Sequence, residues 1–331
     1  MWAAPTSWHF GAELSKSTDM GKTWDAPERM RIKMPATTTK SLENIWQIAP
    51  GAHPDTLYVG VAPAALFESR DRGETFQLNK GLWNHPHRKK WTPGFGGLCL
   101  HTIVTDAKNP NDIKIAISTG GVYQSADGGA TWQVTNTGVK AYFLPNQFPE
   151  FGQCVHKITM HPERPERLFL QNHWGLYRSD NHGETWHDIA HGVPSDFGYA
   201  IVSHPHHPDT VYILPIESDE FRCTPEGHLR VYRTRNAGDS WEALTRGLPQ
   251  KGSYETVLRD AMTVDSLSPV GIYFGTRSGQ LFKSTNEGRT WKRILEGLPP
   301  IVCVKSAMVE GPQKSRMGRS SKQKPKSQRK R

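Results

Sequence analysis

Ser125-Ala-Asp127-Gly-Gly129-Ala-Thr131-Trp132 decides the architecture of this chain, because it is one of six copies. The others are Ser17-Thr-Asp19-Met-Gly21-Lys-Thr23-Trp24, Ser69-Arg-Asp71-Arg-Gly73-Glu-Thr75-Phe76, Ser179-Asp-Asn181-His-Gly183-Glu-Thr185-Trp186, Thr234-Arg-Asn236-Ala-Gly238-Asp-Ser240-Trp241 and Ser284-Thr-Asn286-Glu-Gly288-Arg-Thr290-Trp291. Successive glycines of the motif stand 52, 56, 54, 55 and 50 residues apart. A steady period of this size marks a repeat architecture, in which each unit needs its neighbours to bury its apolar face.

The residue types of the motif suit a turn. Asp or Asn at the third place accepts hydrogen bonds from the backbone ahead, and the leading Ser or Thr does so more weakly. Gly at the fifth place supplies the positive φ of a tight hairpin. The closing Trp or Phe is an apolar anchor expected to pack under the turn. Read instead as a catalytic acid or calcium ligand, the Asp would imply six equivalent sites, so turn chemistry is the preferred reading.

Strand signals surround each copy. Thr56–Gly60, Ile113–Ile117, Arg167–Gln171, Thr210–Leu214 and Gly271–Gly275 lie upstream of it, and His101–Thr105, His156–Met160 and Ala200–Ser203 lie further upstream. Pro-rich turns such as 161–165 and 204–208 separate them. Four strands per period of about 50 residues make a propeller blade. The fold class is therefore all-β, a β-propeller of four-stranded blades over residues 1–310, with six blades as the chain stands and few helices. The last apolar segment, Ile301–Val309, is expected to complete the opening blade and remove both free sheet edges. A seven-bladed fold with one blade missing upstream is the alternative, since Met1 begins inside a strand.

The formal charge of +9 belongs to the tail. Residues 311–331 carry nine basic side chains and no acid, which leaves 32 basic and 32 acidic residues for the propeller. The tail has no large apolar residue beyond Met317, so it is expected to be disordered and solvated. The alternative is an arm for nucleic acid or an acidic partner. Four cysteines, at 99, 154, 223 and 303, form no CxxC pair, which suits reduced thiols in a cytoplasmic protein. No signal peptide or membrane-spanning run is visible, and no membrane partner is expected.

Propeller ligands sit at the mouth of the central channel, where the innermost strands begin. Aligning those strands on their final His or acid gives one equivalent place five residues earlier, held by His101, His156, Tyr199, Asp260 and Lys305. Two residues before lie Cys99, Cys154, Phe197, Leu258 and Cys303. Polar groups at one level of a packed ring need partners. Either they satisfy one another or they line a polar axial pocket for a glycan or small polar ligand, with Arg259 beside Asp260. A metal held by the pairs Cys99/His101 and Cys154/His156 is the lesser alternative, and neither metal nor cofactor is expected. Trp174 and Trp83 could stack on a sugar ring or simply pack at the rim. The polar insertion 217–228 suits a lid or pocket wall.

The Ser-x-Asp-x-Gly-x-Thr-Trp pattern resembles the Asp-box, or BNR, repeat of sialidase-superfamily propellers, a repeat also present in sortilin-type domains, xyloglucanases and a photosystem II assembly factor. The stretches Pro149–His156, Gln171–Ser179 and Val257–Met262 resemble a bacterial group of single-domain proteins labelled sialidase-like or glycosyl-hydrolase-like. That group begins about one blade earlier. The resemblance implies a propeller scaffold and does not carry an activity over. The sialidase catalytic set is not intact: the nearest relative of its Phe/Tyr-Arg-Ile-Pro motif, Arg29-Met-Arg31-Ile-Lys-Met-Pro35, follows the first repeat and breaks the pattern. Arg259 and Arg222 are the only attractive loop arginines. Three functions follow: a binding or assembly module with a polar axial pocket, a glycoside hydrolase using Asp260 with Glu255 or Glu217, and a scaffold for nucleic acid or an acidic partner.

Overall fold

The computed structural model describes residues 1–7, 9, 11–25 and 31–309. The expected basic tail lies outside the described residues.

Five four-stranded antiparallel sheets follow one another along the chain, each pairing its strands in sequence order. Their innermost strands are Asn44–Pro50, Leu100–Thr105, Val155–His161, Gly198–Ser203 and Met262–Val264. We call these sheets the first to fifth complete blades. Ahead of them, Trp2–Ala3 pairs with Ser15–Lys16 and Thr6–Ser7 with Gly11–Ala12, two halves of one interrupted hairpin. Among the described residues the helices are single turns, Lys80–Trp83 and the 3-10 segments Pro86–Lys90 and Pro225–Gly227.

The motif builds the turn between the third and fourth strands of a blade. In the second complete blade, Ser125 Oγ donates to Asp127 Oδ1 at 2.8 Å and accepts from Gly129 N at 2.7 Å. Thr131 N and Oγ1 donate to the Asp127 carboxylate at 2.8 and 2.6 Å. Where the third residue is Asn, its amide donates instead to the hydroxyl, as Asn181 Nδ2 does to Thr185 Oγ1 at 2.9 Å. The amide therefore serves as well as the carboxylate because the Thr hydroxyl can reverse its role. The motif glycine takes positive φ throughout, and the residue before it does too, including Arg72, His182 and Glu287.

In three copies the motif Trp is also a staple between blades. Trp132 Nε1 donates to Asn79 Oδ1 of the preceding blade at 3.1 Å and to Gly129 O of its own turn at 3.2 Å. Trp186 reaches Thr135 O at 2.9 Å and Trp241 reaches Ile189 O at 2.9 Å, each in the blade before. This agrees with packing under the turn and adds the neighbour that a single repeat cannot show. The core is a chain of clusters joining blade to blade, such as Ile115, Tyr123, Leu66 and Trp132 between the first two.

Residues 301–309 do not form a regular strand. Cys303 bridges Asp260 in parallel, Val304 N donates to Asp260 O at 2.8 Å, and Ser306 Oγ donates to Val264 O at 2.6 Å. The segment thus lies beside the innermost strand of the fifth complete blade.

Candidate functional site

The innermost strands share a defect at one height. Residue 46 stands unpaired between the partners of Ile45 and Gln47, residue 101 between those of Leu100 and Thr102, residue 156 between those of Val155 and Lys157, and residue 199 between those of Gly198 and Ala200. A β-bulge of this kind inserts one extra residue, re-aims its side chain and frees backbone groups of the ladder. The bulged residues are Trp46, His101, His156 and Tyr199. The alignment of His101, His156 and Tyr199 was legible in the sequence. Trp46 belongs to the same set, and the alignment on a terminal His or acid does not reach it, because its strand ends at Pro50.

The freed carbonyls explain the histidines. His101 Nε2 donates to Val155 O of the next blade at 2.8 Å, while its Nδ1 accepts from the Thr102 hydroxyl at 2.9 Å. His156 Nδ1 donates to Gly198 O of the blade after that at 2.7 Å. Burial, reinforced by the positive charge of Arg259, pulls both imidazoles well below the usual histidine pKa, so both are neutral at pH 7. His101 has both ring nitrogens engaged and acts as a stitch between blades. His156 has its Nε2 turned toward Cys154 Sγ, 3.8 Å away.

Contacts that skip a blade identify the channel. Lys157, in the third complete blade, donates to Asp260 Oδ1 at 2.9 Å and to Arg259 O at 2.7 Å in the fifth. Lys305 donates to the same Asp260 Oδ1 at 2.9 Å. Burial pushes the Asp260 carboxyl upward, but the charges and hydrogen bonds of Lys157 and Lys305 outweigh it and hold the group well below the usual carboxylate range. Lys157 sits one residue past the predicted ring and was missed, since strand alternation alone gives no reason for it to face the channel.

Asp260 and Glu255, the candidate acid pair of the sequence, each have partners of their own in the structure. Asp260 is an ionised counter-charge between two ammonium groups. Glu255 is buried and accepts from Ser278 Oγ at 2.8 and 2.7 Å and from Gln280 Nε2 at 2.7 Å. Both carboxylates are hydrogen-bonded to neighbouring side chains.

Arg259 lies close to two aromatic rings. Its guanidinium carbon is 4.9 Å from the Tyr199 ring and 5.6 Å from the Trp46 ring, within cation–π range of both. Its Nε is buried and has no hydrogen-bond partner in the structure, and the same holds for the neighbouring Trp46 Nε1. Arg259 forms no ion pair among the described residues. Tyr199 also touches His156, with ring centroids 4.6 Å apart, and burial raises its phenol pKa.

Trp174 stands at the rim, outside this group. It packs on Phe143 at 5.1 Å and on His173 at 4.3 Å, so rim packing is the role the structure gives it. The insertion after Glu217 is a wall of the mouth: Asp219 Oδ2 lies 3.1 Å from His173 Nε2. A cleft of about 480 Å³ opens at the opposite strand ends, beside His204, Arg235, Glu287 and Arg289, away from these residues.

A β-propeller with a cationic, aromatic-walled axial mouth is the class that fold and site define. Two overlapping stretches, 120–250 and 174–298, match the model of the Sortilin-Vps10 family (Sortilin, neurotensin receptor 3). Together they take in more than half of the chain, and the chain belongs to this family of β-propellers. It is 24% identical over 176 residues to a probable oligoxyloglucan-reducing end-specific xyloglucanase of Neosartorya fischeri, a match covering 51% of this chain and 18% of that protein. Among solved structures it resembles an ancestral GH74 enzyme, with a TM-score of 0.59, 17% identity, and coverage of 89% of this chain and 37% of the other. It also resembles YCF48 bound to D1 peptide, with a TM-score of 0.55, 13% identity, and coverage of 88% and 77%. The chain spans well under half the length of the xyloglucanase and of the GH74 enzyme. These likenesses show the fold.

Proposed function

We propose that this protein is a binding module whose axial mouth receives the anionic group, a carboxylate or phosphate, of a polar ligand such as an acidic saccharide. The observation that carries this reading is Arg259. Its guanidinium lies within cation–π distance of both Trp46 and Tyr199, its Nε has no partner among the described residues, and the adjacent Asp260 is already paired with Lys157 and Lys305. A guanidinium presents a planar fork of donors that matches a carboxylate or phosphate. Trp46 and Tyr199 add flat apolar faces for a ring. Assembly by capture of an acidic protein terminus would use the same chemistry, and the likeness to YCF48 bound to D1 peptide supports keeping it within this class.

The hydrolase reading is supported by the xyloglucanase similarity, but the acids it needs are engaged elsewhere. The resemblance of the repeat to the sialidase Asp-box fits a scaffold role, because the motif acids close turns. The nucleic-acid reading rests on the tail alone and would appear as salt-dependent binding lost on removing residues 311–331.

The test is thermal stability and calorimetric titration against glucuronate or N-acetylneuraminate, with glucose as the neutral control. Saturation at about 100 times Kd stabilises the folded state by about 2.7 kcal/mol. That gain should appear with the acidic sugars and disappear in Arg259→Leu. Equal response to glucose, or full response in Arg259→Leu, would overturn the proposal.

A further inference from the structure

Cys154, His156 and His173 converge on one point at the channel mouth, and their ligating atoms all lie within 4.8 Å of one another. We propose that they form a binding site for a divalent transition-metal ion of the zinc class, with three protein ligands and a fourth position open to water or to an incoming ligand.

The geometry fits such an ion. Bonds of about 2.3 Å to sulfur and about 2.0 Å to nitrogen, at the tetrahedral angle, set sulfur and nitrogen about 3.5 Å apart. Cys154 Sγ and His156 Nε2 are 3.8 Å apart. The bulge at residue 156 turns that side chain toward the mouth. His173 comes from the tight turn after Arg164–Asn172, and its backbone N donates to Cys154 O at 3.0 Å, which pins the turn against the start of the inner strand. All three ligands therefore belong to one blade and are fixed by its own hydrogen bonds.

The surroundings match what ligating histidines need. His156 donates through Nδ1 to Gly198 O, which fixes the tautomer and leaves the Nε2 lone pair free for an ion. The Asp219 carboxylate lies 3.1 Å from His173 Nε2 and places a negative charge beside that imidazole. A thiolate and Asp219 together carry two negative charges, which balance a divalent ion close to the cationic Arg259. A thiol–imidazole hydrogen bond alone would account for Cys154 and His156. It leaves the convergence of His173, with its own carboxylate, without a purpose.

The assay is metal loading of the full chain, stripped by chelator under reducing conditions and dialysed against Zn²⁺ or Co²⁺. The expected result is one ion per chain by elemental analysis, and a cobalt spectrum with tetrahedral d–d bands and a thiolate-to-cobalt charge-transfer band. Cys154→Ser should remove the charge-transfer band. His173→Gln, at a partly exposed turn, should weaken binding at least tenfold, in line with the loss of one of three ligands. Cys303→Ser should change nothing. Substoichiometric binding by the wild-type chain, a cobalt spectrum without the thiolate band, or full affinity in His173→Gln would each overturn the site. Because the readout uses metal alone, its failure leaves the anion-binding proposal standing, and the reverse also holds.

Discussion

Asp260→Asn should destabilise the protein, and should do so by an amount that depends on pH. The substitution keeps an acceptor for Lys157 but removes its counter-charge. The Lys157 and Asp260 side chains are only 12% and 16% exposed, so solvent cannot replace the lost partner. Breaking a buried ion pair by removing one member costs about 3–5 kcal/mol. An independent bound gives the same scale. Lys157 can escape the penalty by releasing its proton, and neutralising a lysine of reference pKa about 10.4 at pH 7 costs about 4.6 kcal/mol, at about 1.36 kcal/mol per unit. At pH 9 that bound falls to about 2 kcal/mol. In the variant the folded Lys157 pKa lies below its unfolded value, because burial lowers it and Asp260 no longer opposes. The unfolded state then binds more protons, so stability rises with pH. In the native protein the ionised Asp260 partly offsets that burial, which leaves a smaller dependence. Urea denaturation at pH 7, 8 and 9 should show the deficit of Asp260→Asn shrinking as pH rises. Lys157→Met combined with Asp260→Asn should recover part of the loss. An unchanged midpoint at pH 7, or a deficit constant across this range, would refute the keystone role given to Asp260.

Trp186→Ala should cost about 3–5 kcal/mol in urea denaturation, the usual price of emptying a buried aromatic site, since Trp186 is 4% exposed and is pinned to the preceding blade. Trp24→Ala is the internal control: at 41% exposure it should cost under about 1 kcal/mol, and equal losses in the two variants would sink the staple. Asp127 is held to a pKa of about 2 first by its hydrogen bond from the Thr131 hydroxyl, then by that from Thr131 N. A lowered folded pKa gives stability that is present above about pH 4 and is lost as pH falls toward 2. Asp127→Asn, which copies the residue at 181, 236 and 286, should therefore flatten the acid limb of the stability curve while leaving stability at pH 7 nearly unchanged. An acid limb identical to that of the native protein would contradict this.

The sequence by itself determined the repeat and hence the fold. Six glycines near a fixed period, each between a hydrogen-bonding Ser/Asp pair and an aromatic, encode turn chemistry that acts within eight residues. Such local physics is readable from one copy and is confirmed by the others. The alignment of His101, His156 and Tyr199 was legible for the same reason, since equivalent places in repeated strands share a height. Only the tertiary structure decided what those residues do. Register in a strand has a period of two, and a bulge shifts it without any mark in the sequence. Four such bulges aim Trp46, His101, His156 and Tyr199, and they free the carbonyls that engage the two histidines. The pairing of Lys157 with Asp260 joins residues 103 apart, and the placing of Arg259 against Trp46 joins the two ends of the array. Neither could be inferred from spacing, because ring curvature, and not the chain, brings those side chains together. The same curvature set Asp260 between two ammonium groups and left Arg259 without an ion pair among the described residues.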